Sequence, residues 1–238
     1  MARITEAEAR VLVCIDGQNV YKACKNMHGH GRIHPLLLAD RVRDGRTLVG
    51  VRYYSGVHDP TINPEVRAKT DRRHSLMRRT GVSVVERQLR YRWEWGFDPA
   101  LLPDPRTSQG TAQTVTVQPY QQPREKGIDL AIGLDVVDLA LADFMDVAVI
   151  VSSDNDLCEA ARATHAATSA AGNRVSVEAA LFSRGKKPVI LAHYDYTHQL
   201  KGEDLEACRD SFDYANPLAE KLEQLFVESC QPLRASFP

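Results

Sequence analysis

Two stretches of this sequence end an apolar run on acids that can act together. Val11–Ile15 runs into Asp16-Gly-Gln-Asn19, and Val147–Val151 runs into Ser152-Ser-Asp-Asn-Asp156. A further acid, Asp129, sits near the start of the helix-like stretch that feeds the second run. If both runs are central parallel strands, Asp16, Asp154 and Asp156 emerge at one edge of the sheet, with Asp129 close by. Four carboxylates together are costly: at ~4 Å each unit-charge pair repels by roughly 4 kcal/mol at an effective dielectric of 20. Such a cluster takes up protons or binds a cation. These motifs offer oxygen donors and no His or Cys, so the matching cation is hard, Mg²⁺ or Mn²⁺. A hard cation held by a few carboxylates serves phosphate chemistry.

Each of these residues also has an ordinary reading. An Asp after a strand is commonly a turn residue or a helix N-cap, and Ser152-Ser153-Asp154 reads equally as a cap cluster. Asp135, Asp138, Asp143 and Asp146 read individually as solvated helix positions. The functional reading rests on several motifs coinciding in order and context.

The elements that must position these acids follow from periodicity. Val11–Ile15 is short, continuous and β-branched, as a strand buried on both faces is. Asn19 to Lys25 starts a helix with Asn19 as its cap, and Pro35 to Arg43 forms another. Thr47–Tyr54 is a second strand. Pro64 to Thr80 is helical, and Val82–Glu86 is a third strand, extendable through Leu89–Trp93. Between Glu94 and Pro123 five prolines exclude a helix, so this is a loop or hairpin insertion in which Thr114–Val117 can pair with Leu89–Trp93. Lys126 to Phe144 is a helix, Val147–Val151 a buried strand, Asp154 to Ala171 a helix and Arg174–Ala180 a strand. Val189–Tyr196 fits either a strand or a helix start, and Leu205 to Val227 reads as a helical tail. Strands alternating with helices give βαβ units, hence an α/β fold with a mostly parallel central sheet covered on both sides.

Asp16-Gly-Gln-Asn19, Lys126-Gly-Ile-Asp129 and Ser152-Ser-Asp-Asn-Asp156, in this order, together resemble the NYN domain, a branch of the PIN-like nucleases. The resemblance implies a three-layer α/β/α fold of PIN-like, Rossmann-like type and Mg²⁺- or Mn²⁺-dependent cleavage of RNA. By position, Asp16, Asp129, Asp154 and Asp156 match the family's acidic metal-binding cluster. Asn19 matches the polar residue that orients water or metal, Lys126 the basic residue beside the cluster, and Ser152 the serine opening the third motif. Asp135 matches an acid often seen in this branch and is a second-tier candidate. Ser153 stands where the family often has Gly, and Leu157 where it often has an aromatic; neither change removes a ligand. The expected nuclease domain spans 9–200, with the insertion at about 94–123, and 201–238 forms a C-terminal helical tail.

The chain has 238 residues with 30 Lys+Arg and 31 Asp+Glu, a net charge of −1. Its 43% hydrophobic and 26% charged residues exclude a disordered or membrane-embedded chain. The balance conceals a segregation. Arg41 to Trp95 carries thirteen Lys+Arg against six acids, while Lys126 to Glu159 carries one base against eight acids. Arg72, Arg73, Arg78, Arg79, Arg90 and Arg92, interleaved with Tyr91, Trp93 and Trp95, suit phosphates and unstacked bases. A nucleic acid is therefore the expected partner, RNA as the resemblance implies, with a second copy of the chain or a regulatory protein as further partner classes and no membrane association. Five scattered cysteines without a C-x-x-C pair point away from zinc and disulfides and toward a reducing cytoplasm. The competing readings are a non-catalytic RNA- or protein-binding module, a structure-specific DNA nuclease, and a phosphatase with Asp16 as nucleophile. The last wants an acid two residues on, where this chain has Gln18.

Overall fold

The computed structural model describes residues 3–96, 118–182 and 193–210. The sheet is built on β1 (Arg10–Asp16), whose last six residues are all buried. Its side chains alternate between two cores. Val11, Val13 and Ile15 face one, while Leu12 and Cys14 face the other. This explains why the run is uninterruptedly apolar.

From β1 the chain passes through α1 (Gly17–His28) and α2 (Pro35–Arg43) to β2 (Thr47–Val57), then through α3 (Pro64–Arg79) to β3 (Ser83–Gln88). It returns to the other side of β1 by α4 (Ile128–Leu141) and β6 (Val147–Val151), after a ribbon of β4 (Arg90–Gly96) and β5 (Gln118–Arg124). A single 3₁₀ turn (Asn155–Leu157) leads into α5 (Cys158–Ala170), followed by β7 (Ser176–Phe182), β8 (Tyr196–Leu200) and α6 (Gly202–Ala207). The six main strands lie in the order β3-β2-β1-β6-β7-β8 and every neighbouring pair is parallel. The side chains of α1, α2, α3 and α6 pack into one core and those of α4 and α5 into the other, giving three α/β/α layers. Right-handed crossovers require this: strands added in opposite directions from β1 place their helices on opposite faces. The direction changes between β1 and β6, and that gap is where such sheets hold ligands.

Four expectations change in detail. Asp16, not Asn19, caps α1, its Oδ1 accepting the Asn19 backbone N–H at 3.0 Å. The third strand does not run on through Leu89: the chain leaves the sheet at Gln88, and β4 pairs antiparallel with β5 in a separate ribbon. Its partner is Gln118–Arg124, whereas Thr114–Val117 lies outside the described residues. Pro119 and Pro123 are tolerated because a two-stranded ribbon leaves one side of each strand unpaired, and their even spacing turns both missing donors the same way. The stretch around Val189–Tyr196 resolves as a strand that starts only at Tyr196; residues 189–192 lie outside the described set. Of the expected tail, α6 buries Leu205 in the core beside α1, and residues 211–238 lie outside the described set. No helix among the described residues is long and apolar enough to cross a membrane.

Candidate active site

The ends of β1 and β6 meet at the reversal point. Ile15 pairs with Val151, so Asp16 and Ser152 are the next residues out on adjacent strands. Ser152 Oγ donates to Asp16 Oδ2 at 3.0 Å and accepts the Asp154 N–H at 3.1 Å. Asp154 Oδ1 in turn accepts the Asp156 N–H at 3.1 Å, capping the 3₁₀ turn. Asn19 Oδ1 accepts the Ser153 N–H at 3.0 Å and fastens the β6 loop to α1. The cap readings were therefore correct for Asp16 and Asp154. Capping takes one carboxylate oxygen of each residue, and the second oxygen of Asp16 accepts the Ser152 hydroxyl.

Gly17 lets the chain turn from strand to helix here. A Cβ at this position would stand 2.6 Å from the Tyr53 ring and from the Tyr54 carbonyl oxygen. On the opposite face α4 starts from Gly127 at φ 78°, a left-handed conformation natural to glycine. That start swings Asp129, in the first turn, toward Asp16 and Asp154. Asp16, Gln18, Asn19, Lys22, Glu125 and Asp129 line a small cavity of about 140 Å³ together with Asp154, Gly127 and Ile128.

The acids feel one another. Burial raises the Asp129 pKa, with Asp154, Asp16 and Asp156 adding repulsion in that order. Burial also raises Asp16, opposed by the hydrogen bonds from Asn19 and Ser152 and reinforced by Asp154. Sequence reasoning missed Glu125. Half-buried, it is pushed up to about 7 by desolvation and by Asp16, while the Gly56 backbone N–H and Lys22 favour its charged form. Its one signal was its place beside Lys126, at the end of a segment read as an insertion. Gln18 and Lys22, joined by an Nζ–Oε1 hydrogen bond of 3.1 Å, were also missed. Among the described residues, no three His, Cys, Asp or Glu side chains already converge as a metal-holding group.

Other expected residues are placed elsewhere. Lys126 is exposed and lines an open cleft of about 560 Å³ with Arg87, Arg90, Arg92 and Arg124. This cleft meets the acidic cavity at Gly127. Asp135 is not brought to the cluster. Two turns further along α4, it accepts Arg52 Nη1 at 2.6 Å and the Tyr54 hydroxyl at 2.8 Å, which makes it a lock between α4 and β2. The α3 arginines divide. Arg73 lines a cavity beside the acids, its guanidinium 5.5 Å from the Tyr53 ring centroid. Arg78 and Arg79 fall in the last turn of α3, where Arg78 is paired with Glu86 of the outer strand β3 at 2.6 Å. Arg72 lies between, half-buried. The structure thus gathers Arg90 and Arg92 with Lys126 and leaves Arg78 and Arg79 apart.

A family model described as the NYN domain matches residues 10–191, well over half of the chain. This chain belongs to the NYN domain family. The family's fold is nuclease-like, and the matched span contains the segments that converge at the reversal point. Among solved structures, the chain is similar to a protein of unknown function from Vibrio parahaemolyticus RIMD 2210633, at 15% identity and a TM-score of 0.51. The similarity covers 85% of this chain and 99% of that one, and it speaks for the fold. No curated protein matches.

Proposed function

We propose that this NYN protein is a divalent-metal-dependent endoribonuclease whose metal-binding centre is the acidic cavity at the ends of β1, β6 and the start of α4. The supporting observation is the grouping of Asp16, Glu125, Asp129 and Asp154 around one cavity, where burial first and the neighbouring acids second raise the pKa of Asp16, Glu125 and Asp129. The donor set fits a hard cation: every donor is oxygen, and a divalent ion relieves the repulsion that the protein leaves in place. Asp16, Asp129 and Asp154 would hold it, with Asp156 and Glu125 at the margin. Bound there, Mg²⁺ or Mn²⁺ would supply charge neutralisation at the phosphate and activation of water.

The remaining work belongs to the chain. Ser152 holds the Asp16 carboxylate and the Asp154 backbone in one arrangement, so both acids present a fixed oxygen to the cavity. Asn19 pins the β6 loop through the Ser153 N–H and is a positioning residue. Lys126 and the arginines of the adjoining cleft offer phosphate contacts on one side of the acids. The four described cysteines are free thiols, consistent with a reducing cytoplasm as the working compartment.

Defined single-stranded and duplex RNAs and DNAs, incubated with and without Mn²⁺ and mapped for cuts, test the proposal. Metal-dependent internal cleavage of RNA that disappears in Asp154→Asn is the expected result. Cleavage of DNA alone would move the substrate to DNA. Tight metal-independent RNA binding with no turnover would replace the nuclease by a binding module.

A further inference from the structure

Beside the acidic cavity lies a second and larger one, of about 470 Å³, between α1 and α3. Its walls are Tyr21, Tyr53, Val66 and Leu89, and its floor is Gly56. Ser55, His58 and Thr70 supply hydrogen-bonding groups, and Lys69 and Arg73 supply positive charge. Two residues, Gln18 and Glu125, line both this cavity and the acidic one. A group in the larger space is therefore one side chain away from the acids.

We infer that this cavity takes one unstacked base of a single-stranded nucleic acid whose cleaved phosphate lies at the acids, an inference that rests on the function proposed above. The volume falls within the roughly 300–1,000 Å³ typical of small-ligand pockets, so it admits a nucleoside and excludes a duplex. The wall chemistry suits a base. Tyr21 is 45% exposed and offers a ring at the rim, while Tyr53 is only 5% exposed and forms a fixed inner wall backed by Arg73. Aromatic and guanidinium planes are the surfaces on which splayed-out bases stack. The polar groups are few and sit beside apolar walls, the pattern that orients a heterocycle by its edge. Gly56 lets Leu89 and Glu125 close tightly over the floor: a Cβ there would lie 2.7 Å from Glu125 Oε1 and 2.6 Å from Leu89 Cδ2. The α1 rim is also tight, since a Cβ at Gly31 would stand 2.0 Å from the Tyr21 ring.

The arrangement gives each space its own task. The acidic cavity acts on the backbone, the arginine cleft beyond Gly127 holds phosphates on one side, and the α1–α3 cavity reads one base on the other.

The test uses the full chain carrying Asp154→Asn, so that binding is read without turnover. A labelled single-stranded RNA containing the mapped cut site is titrated by fluorescence anisotropy, alongside versions with one abasic residue walked along the strand. One abasic position within about two nucleotides of the cut is expected to weaken binding about tenfold, the usual worth of a single stacked base. Val66→Trp fills the cavity from a half-exposed helix position and is expected to cause the same loss with the intact RNA. In that variant the sensitive abasic position costs nothing more. Tyr21→Ala provides a second variant should Val66→Trp lower the melting temperature. Uniform binding across all abasic positions, or unchanged binding in both variants, overturns the inference even if cleavage is observed. A sensitive abasic position far from the cut likewise overturns the inference and leaves the nuclease reading standing.

Discussion

Arg46 and Glu178 meet prong to prong, Nη1 to Oε1 at 2.9 Å and Nη2 to Oε2 at 2.8 Å, with both side chains at most 1% exposed. His198 Nε2 approaches the same carboxylate at 2.7 Å. The trio ties the entry of β2 to β7 and β8, at the end of the sheet away from the acids. A buried pair of this kind is expensive to break because the surviving charge stays in a dry place. Glu178→Gln is expected to cost about 3 kcal/mol in urea denaturation, and Arg46→Met with Glu178→Leu to recover most of that loss. Equal destabilisation by the double variant would mean that packing, not charge, holds this corner.

The same carboxyl sets an acid limit. Despite burial, its pKa is held down at about 2, with His198 and Arg46 the first causes. A depressed carboxyl stabilises the fold above the ordinary carboxylate range, and the stabilisation drains away as the pH falls toward 2. Wild-type stability is expected to decline through that window, and Glu178→Gln to show a flatter acid limb in pH-dependent melting.

Glu125 behaves in the opposite sense. Its pKa is raised to about 7, so the metal-free folded state retains a proton that the unfolded chain releases near pH 4.5. This carboxyl therefore lowers stability progressively as the pH rises from about 4.5 to 7. Glu125→Gln is expected to stabilise the metal-free protein at pH 8 by about 1 kcal/mol, discounted for partial exposure, and to change little at pH 4. Thermal melts in EDTA at the two values check it, and a uniform shift at both would point to packing.

Ser152→Ala removes the hydroxyl that bridges Asp16 and Asp154. If those acids hold the cation, the Mn²⁺ concentration needed for half-maximal cleavage rises about tenfold, the usual cost of a lost supporting partner. Metal titration of the cleavage rate reads this directly. An unchanged midpoint would show that the bridge does not serve the metal.

Asp135 and Asp129 share one helix, yet Asp129 lines the acidic cavity while Asp135 bonds Arg52 and Tyr54. Asp135→Asn is expected to destabilise by about 1–3 kcal/mol through the loss of Arg52 and Tyr54 contacts, with cleavage held within about threefold. Asp129→Asn should abolish cleavage and leave the melting temperature equal or higher. Loss of cleavage in a folded Asp135→Asn would return that residue to the site.

The parallel layout was legible because buried strands such as Val11–Ile15 and Val147–Val151 carry no polar face, and the helices between them are marked by Pro and Gly. The convergence of Asp16, Asp129 and Ser152–Asp156 was legible because strand ends in such sheets share one edge. Asp135 was misleading because sequence spacing cannot tell which cation a carboxylate will meet, and Arg52 comes from another strand. Arg78 and Arg79 were grouped with Arg90 by composition, whereas they sit on the last turn of α3, with Arg78 paired to Glu86 of β3. Glu125 escaped notice because its surroundings are set by Gly56 and Asp16, both distant in sequence. The ribbon's register was hidden by the prolines, which argue against a strand unless its outer side is known to be free.

At the base of that ribbon Arg90 stands directly opposite Arg124, so the chain leaves the nuclease-like body and re-enters it at neighbouring positions. An excursion with adjacent ends is a detachable cassette: it can be lengthened, replaced or clipped to a short turn without rethreading the sheet. The acids at the strand ends belong to the frame, whereas Arg90, Arg92 and Arg124 belong to the cassette. On the proposed reading, exchanging the cassette while keeping the frame would change what is gripped independently of the chemistry performed on it.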